Sequence, residues 1–487
     1  MRHRLIRTFF LTTGLLIFFI TPLHAEFLVG TSSTDITPDG PVALTGQFHL
    51  RIASQADTPL TANVIVVESI TEGGPSDCAV MVSCDLIYIP HEVLNGVREE
   101  TSRRLPELDA SKIFLNGTHT HTGPVLIDDK YKIPSEGVIQ PSEYRQFLAQ
   151  RIAEAIADAW ENRSAGSVSW GLSHATVGYS RRAVYADGSA RMYGPTDTAN
   201  FRHMEGSEDH DINTMFFWDA EGDLIGMVVN VSCPSQEVES GRTVHADFWH
   251  PTRELLHERY AKEVCIVAWT GASGDQSPHV KYREEAEDRM RRLRGLSNIE
   301  EIARRIVRAV DDAYEIVQND RHEDSALMHE VETLTLPMRL VTEAEYAEAQ
   351  AEVERAKNLI KANPNASNSQ HRRMCWYQAT VDRYEQQQTD PAPTYEMELH
   401  VLRIGDAVIC TNSFEMFTDY GIRIKGRSRA IQTFVVQLAG PGTYLPTETG
   451  VQGGHYSAVV HSSLVGPEGG QVLVDRTVEV IDSLFSE

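Results

Sequence analysis

Residues 78–89, CAVMVSCDLIYI, place the tightest limit on the fold. The run is too apolar to leave one face in water, so it reads as a central strand covered on both sides. Pro90 ends it, residues 91–105 carry a helical pattern, and a second strand-like run begins at Phe114. Strand, helix and strand in that order form a βαβ unit, in which a site belongs at the end of the second strand. That end is the stretch 114–124, FLNGTHTHTGP. Residues two apart in an extended chain share a face. The pattern therefore predicts His119 and His121 side by side at a strand end, an arrangement that suits a transition metal. For an isolated H-x-H the plainer reading is a pair of exposed polar residues, so metal chemistry needs donors from elsewhere in the chain.

The remaining periodicity is that of a large α/β body. Residues 27–36, 60–69, 168–178, 214–218, 224–231 and 264–270 read as strands, and 397–404 with 407–411 as a hairpin around Gly405-Asp406. Helical patterns cover 141–162, 248–261, 298–318, 342–362 and 371–388, and the tail 469–485 ends in another. Thr342 and Glu345 form a capping-box start. The fold class is α/β: one large catalytic domain, residues 26–487, with a central mixed sheet flanked by helices.

Residues 1–25 carry Arg2, Arg4 and Arg7, then an apolar core from Phe9 to Ile20, then Pro22 and a short end at Ala25. This is the pattern of a secretory signal peptide, so the protein is expected to be exported, to the periplasm or beyond the cell. No later stretch predicts a membrane span. A formal net charge of −25 argues against nucleic acid and against anionic membrane surfaces as partners. Of the six cysteines, Cys84, Cys265 and Cys410 lie in apolar runs, where a free thiol acts as a small hydrophobe. Mostly free, buried thiols are expected.

Three later stretches add candidate chemistry. Residues 229–250, VNVSCPSQEVESGRTVHADFWH, hold His245 and His250 around Asp247. Residues 270–278, TGASGDQSP, form a small-residue loop after a buried strand. Residues 411–456 include NSFEMF, LAGPGTYLPTETG and GGHY. Asp275 and Ser277 of GDQSP lack the strained G-x-S-x-G arrangement of a serine nucleophile, so they read as a turn lining the site. Asp85 is either a support for a metal histidine or a turn cap.

With these pieces in place the chain resembles the neutral/alkaline non-lysosomal ceramidases. The likeness rests on TGQF, VSCDL, THTHTGP, GDQSP, Glu415 after a strand, YLPT, and the spacing of Tyr444 and Tyr456. It covers most of residues 26–487, and the family's C-terminal β-sandwich domain has no counterpart. The resemblance implies a single zinc ion and hydrolysis of an N-acyl bond in a small-molecule or lipid substrate, with sphingolipids as the family's class. It implies His119, Glu415 and Tyr444 as metal ligands. It implies His121 as a substrate-facing proton carrier, Tyr456 as a group that polarises the scissile carbonyl, and one of Arg181 or Arg182 as an active-site arginine.

One segment departs from the family. Where the family has N-F-A-C-H-P, with a second zinc histidine, this chain reads Asn230-Val231-Ser232-Cys233-Pro234-Ser235. Candidate replacements are His250, His245, Cys233 and Gln236. His250 is favoured because it follows the Ala246-Asp247 pair that aligns with the family's S-A-D. The reading is therefore an exported, metal-dependent amide hydrolase. The alternative is a non-catalytic glycan- or lipid-binding protein built on the same cleft with a degenerate metal site.

Overall fold

The computed structural model describes residues 26–71, 74–364 and 367–486, so the segment read as a signal peptide lies outside the described residues. The strand Gly74–Cys84 occupies the interior that its sequence demands. Val80 and Val82 point into a core roofed by helices, while Ala79 and Met81 point into a second core on the opposite face. Each such fully buried side chain contributes on the order of 1.5–3 kcal/mol, which is why the run tolerates no polar face. The helix His91–Arg104 then returns the chain to the parallel strand Ile113–Gly117, paired from Val80↔Ile113 to Cys84↔Gly117. The βαβ unit is present as expected.

That pair forms one edge of an eight-stranded mixed sheet. From the other edge the order is Cys265–Thr270, Leu224–Val231, Asp211–Asp219, Ser164–His174, Glu26–Asp35, Thr61–Thr71, Gly74–Cys84 and Ile113–Gly117. The outermost pairing at each edge is parallel and the inner ones are antiparallel. The sheet coils until its edges meet: Asn116 Nδ2 reaches Ala268 O at 3.4 Å, and Thr270 Oγ1 donates to Gly117 O at 3.1 Å.

A second sheet, Leu327–Pro337, Thr394–Ile404, Ala407–Thr411 and Gln432–Val436, lies against the first. Phe114, Val267 and Trp269 from one sheet and Leu402, Ile409 and Phe434 from the other share a core. Helices His91–Arg104 and Pro141–Glu161 cover the outside of the large sheet at one end, with Trp249–Arg259 and Asn298–Val317 at the other. Thr418–Arg427 and Pro467–Leu484 cover the small sheet. The architecture is the expected central mixed sheet flanked by helices.

Several elements escape the sequence reading, among them the helix Thr418–Arg427 and the strand Gln432–Val436. The helix Glu284–Arg294 has no buried side chain, so no apolar stripe marks it. The strand Leu327–Pro337 has glutamate, threonine and histidine among its apolar residues and lies at the open side of its sheet. The helix expected from residue 371 starts earlier, at Ser367. All six cysteines are free thiols, with Cys84, Cys233, Cys265 and Cys410 buried. Burial pushes the Cys265 thiol up to about 11 and the Cys410 thiol up to about 12. Among the described residues no helix is long and apolar enough to cross a membrane.

Candidate active site

The threonines of THTHTGP explain how its histidines are held. Thr118 Oγ1 donates to Asp85 Oδ1 at 3.3 Å, and Asp85 is clamped by Arg253 at 2.7 and 3.1 Å. Thr120 and Thr122 both donate to the His245 carbonyl, at 2.6 and 2.9 Å. Three short side chains therefore anchor one side of the loop. Asp85 is a loop anchor, with its hydrogen bonds made to Thr61, Thr118 and Arg253.

The two imidazoles do meet, with ring centroids 4.9 Å apart at 63°. Strand alternation is not the cause. The strand ends at Gly117, and His119 adopts φ 70°, a left-handed conformation costly for a non-glycine residue. Two glycines make room for the loop and its partner. Gly46, at φ 93°, lies so close that an added Cβ would sit 2.6 Å from His121 Cβ. A Cβ on Gly274 would lie 2.2 Å from the Glu415 carbonyl oxygen. These contacts account for the glycines of TGQF and GDQSP.

The His119 ring sits 2.8 Å from Ile87 O through Nδ1. A carbonyl only accepts, so Nδ1 carries the proton and Nε2 presents a bare lone pair. Nε2 stands 3.5 Å from Glu415 Oε2. Burial, with the charge of His121 second, lowers the His119 pKa well below its ordinary value and keeps the ring neutral. Glu415 begins the two-residue strand Glu415–Met416, paired in parallel with Tyr444–Leu445, so Glu415 and Tyr444 are direct register partners. Burial raises the Glu415 carboxyl, and the Arg181 charge and the Tyr444 hydroxyl oppose that rise. Burial, reinforced by the Glu415 charge, holds the Tyr444 phenol well above its ordinary range.

His119, Glu415 and Tyr444 are the residues that could hold a metal here, as a three-donor set. Bonds of about 2.1 Å meeting at a tetrahedral angle place two donor atoms roughly 3.4 Å apart. The His119–Glu415 separation of 3.5 Å matches this, and a lone pair facing a carboxylate calls for a cation or proton between them. Among the described residues no trio of His, Cys, Asp and Glu gathers to hold a metal. The third donor here is a phenol.

The structure divides the other candidates. His121 Nδ1 lies 3.3 Å from Glu239 Oε2, and both ring nitrogens are buried without a geometrically formed hydrogen bond among the described residues. Tyr456 lines the same cleft, its ring 5.7 Å from that of Tyr444, and burial pushes its phenol up to about 12. Arg181 lies behind Tyr444, donating to its hydroxyl at 3.3 Å, to Gly274 O at 2.8 Å and to Gln236 Oε1 at 3.3 Å. Burial alone would lower the Arg181 pKa, but Tyr444, Tyr193 and Glu415 raise it above its ordinary value. Arg182 faces away: it pairs with Glu205 and donates to Ser457 Oγ at 3.0 Å and Gly454 O at 2.8 Å.

His250 does not line the cleft; it stands in the first turn of Trp249–Arg259, where its backbone N–H bonds Asp247 O. The threonine anchors seize the His245 backbone, and the His245 ring accepts from Asp247 N at 2.8 Å, so neither histidine reaches His119. Cys233 Sγ bonds the neighbouring Pro234 carbonyl. Gln236, the remaining candidate, contacts Arg181 and Tyr193. Asp275 accepts from Thr418 N and Oγ1 at 2.8 and 2.7 Å, and Ser277 accepts from His279 N, so GDQSP is a structural turn.

The cleft over His119, about 200 Å³, is lined further by Phe48 of TGQF and by residues that no motif marks, among them Tyr88, Lys130, Arg372 and Trp376. Phe48, Trp376 and Tyr456 form an aromatic trio with centroids 5.6, 5.9 and 5.8 Å apart. Glu239 was also absent from the motif reading; an acidic residue six positions beyond Cys233 was its only signal.

No protein-family profile and no curated protein sequence matches the chain. Solved structures do. Neutral ceramidase from Pseudomonas aeruginosa superposes with a TM-score of 0.66 at 16% identity, over 94% of this chain and 75% of that one. A ceramidase complexed with C2 gives a TM-score of 0.66 at 14% identity, over 95% of this chain and 76% of that one. The chain has the neutral ceramidase fold.

Proposed function

We propose that the protein is an exported, metal-dependent hydrolase of N-acyl amide bonds. The observation that carries this reading is the bare Nε2 of His119 set 3.5 Å from Glu415 with Tyr444 as its strand partner. The names of the solved neighbours, a neutral ceramidase and a ceramidase, support an amide as the bond cleaved and a lipid or small N-acyl compound as its source. His119, Glu415 and Tyr444 would hold a divalent ion, which when bound would supply Lewis acidity and lower the pKa of a water to about 7.

The chain's own residues do the rest. Tyr456 keeps its proton at neutral pH, so its hydroxyl donates to the oxygen of the scissile carbonyl as negative charge develops. His121 lines the cleft with a ring nitrogen that has no hydrogen-bond partner among the described residues, and it hands a proton to the leaving nitrogen. Glu239 orients that ring through Nδ1. Arg181 braces Tyr444 and opposes the neutralisation of Glu415. The aromatic trio shields the amide from bulk water.

A binding protein on the same cleft is the second reading, favoured by the proline and serine at 234–235 where the family has a histidine. Metal analysis of purified wild type and His119→Ala, followed by assay of N-acyl substrates with and without chelator, separates the two. Stoichiometric metal lost in the variant and chelator-sensitive amide cleavage are expected. Absence of stoichiometric metal from the wild type together with no cleavage of any amide sinks the hydrolase reading.

A further inference from the structure

Two cations face the cleft without a carboxylate partner. Lys130 Nζ bonds the Tyr88 hydroxyl at 3.0 Å and lies over the Tyr88 ring. Arg372 lies over the Phe48 ring, 5.4 Å from its centroid. Among the described residues neither forms an ion pair, although the chain has 69 acidic residues against 44 basic ones. Arg145 and Arg373, by contrast, each hold a carboxylate. Both side chains are half-buried, and a ligand that brings a counter-charge relieves the cost of drawing a cation partly out of water.

The two cations are also held together. His371 Nε2 bonds the Asp129 carbonyl at 2.9 Å, so the residues preceding Arg372 and Lys130 are tied to each other. Both side chains line the wall of the cleft that holds His119, His121 and Tyr456. At about 200 Å³ the cleft falls below the roughly 300–1,000 Å³ of sites for drug-sized ligands, so it suits a compact polar group.

We propose that the substrate is an amide carrying an oxyanion, a carboxylate or a sulfonate, held between Lys130 and Arg372 beside the scissile bond. The inference rests on the amide-hydrolase reading and narrows its substrate. Arg372 offers a planar fork suited to a two-oxygen anion, and Lys130 adds a point charge. Phe48 and Trp376 border the uncharged part of the ligand.

The test compares N-butyrylglycine, N-butyryltaurine and N-succinylethanolamine with neutral N-butyrylethanolamine, using the protein as purified. The glycine and taurine conjugates separate carboxylate from sulfonate on the amine side, and the succinyl compound places the anion on the acyl side. At least one anionic amide is expected to exceed the neutral one tenfold in kcat/KM. That ratio should fall below threefold in Arg372→Met and recover in part in Arg372→Lys. Equal cleavage of all four, or a preference that survives both Arg372→Met and Lys130→Met, overturns the inference and leaves the hydrolase reading standing. If none is cleaved, calorimetry with the same anionic amides decides. Binding that Arg372→Met weakens at least fivefold supports the anion site while the hydrolase reading falls. Absence of such binding overturns the anion site.

Discussion

A side-chain carbon on Gly46 would lie 2.6 Å from the Cβ of His121, closer than two such carbons ever approach. Gly46 also holds φ 93°, so Gly46→Ala combines backbone strain with displacement of the imidazole. The strain costs about 1–3 kcal/mol, and moving a reacting group by about 1 Å costs on the order of 100-fold in rate. Denaturant unfolding should show the first loss and kcat the second. Metal content should stay at the wild-type level because His119, on its separate anchor to Ile87, is untouched. Loss of metal in Gly46→Ala would show that the two histidines act as one unit.

Metal removal follows from the same donor set. An ion that binds the folded chain at about 100 times its dissociation constant adds roughly 2.7 kcal/mol to stability. Zinc added to chelator-treated protein should therefore raise its unfolding temperature, and Glu415→Ala should abolish most of the rise. The measurement is thermal unfolding at several zinc concentrations. An unchanged rise in Glu415→Ala would remove Glu415 from the ligand set.

Lys130 gives a pH dependence whose sign is fixed. Burial, assisted by the Arg372 charge, lowers its pKa to about 8 from an ordinary 10.5. The cation is present below about 8 and lost above, so KM for an anionic amide should rise as pH passes 8. Between about 8 and 10.5 the unfolded chain binds more protons than the folded one at this residue, so its contribution to stability increases with pH across that window. Lys130→Met should show a higher KM below pH 8, converge with the wild type above it, and show no inflection near 8. Steady-state kinetics from pH 6.5 to about 9.5 check both, and an inflection retained in Lys130→Met would assign it elsewhere.

Much of the fold was legible because its apolar periods are strong. The run 78–89 demanded two covered faces and has them, and the helix Asn298–Val317 carries a continuous buried stripe. The candidate site was legible only where its residues share a motif. His119 and His121 were expected together for the wrong reason, since a left-handed turn rather than strand alternation sets their geometry. Lys130 and Arg372 were invisible: the bond that joins their segments spans 242 positions, and neither stands in a patterned context. His250 misled because the loop does dock on that segment, but through the His245 backbone carbonyl that any residue would offer.

The adjacent arginines give the sharpest separation of support from chemistry. Sequence alone leaves Arg181 and Arg182 equivalent, yet successive residues of an extended segment point opposite ways, and these two stand where the strand Tyr179–Ser180 passes into Arg182–Tyr185. Arg182 is fully buried against Glu205, and it gathers Gly450, Gly454 and Ser457 on either side of Tyr456. Removing one partner of such a pair strands the other charge, at a cost of about 3–5 kcal/mol. Arg182→Met should lose that much in denaturant unfolding, and the double change with Glu205→Leu should recover most of it. Among the described residues Arg181 has no carboxylate partner; it donates to Tyr444, Tyr193 and Gln236 around the candidate donor set. Arg181→Lys keeps the charge but not the fork, so it should lower kcat at least roughly tenfold. Its unfolding midpoint should stay closer to wild type than that of Arg182→Met. The reverse pattern, an active Arg181→Lys beside a folded but inactive Arg182→Met, would transfer the active-site role to Arg182.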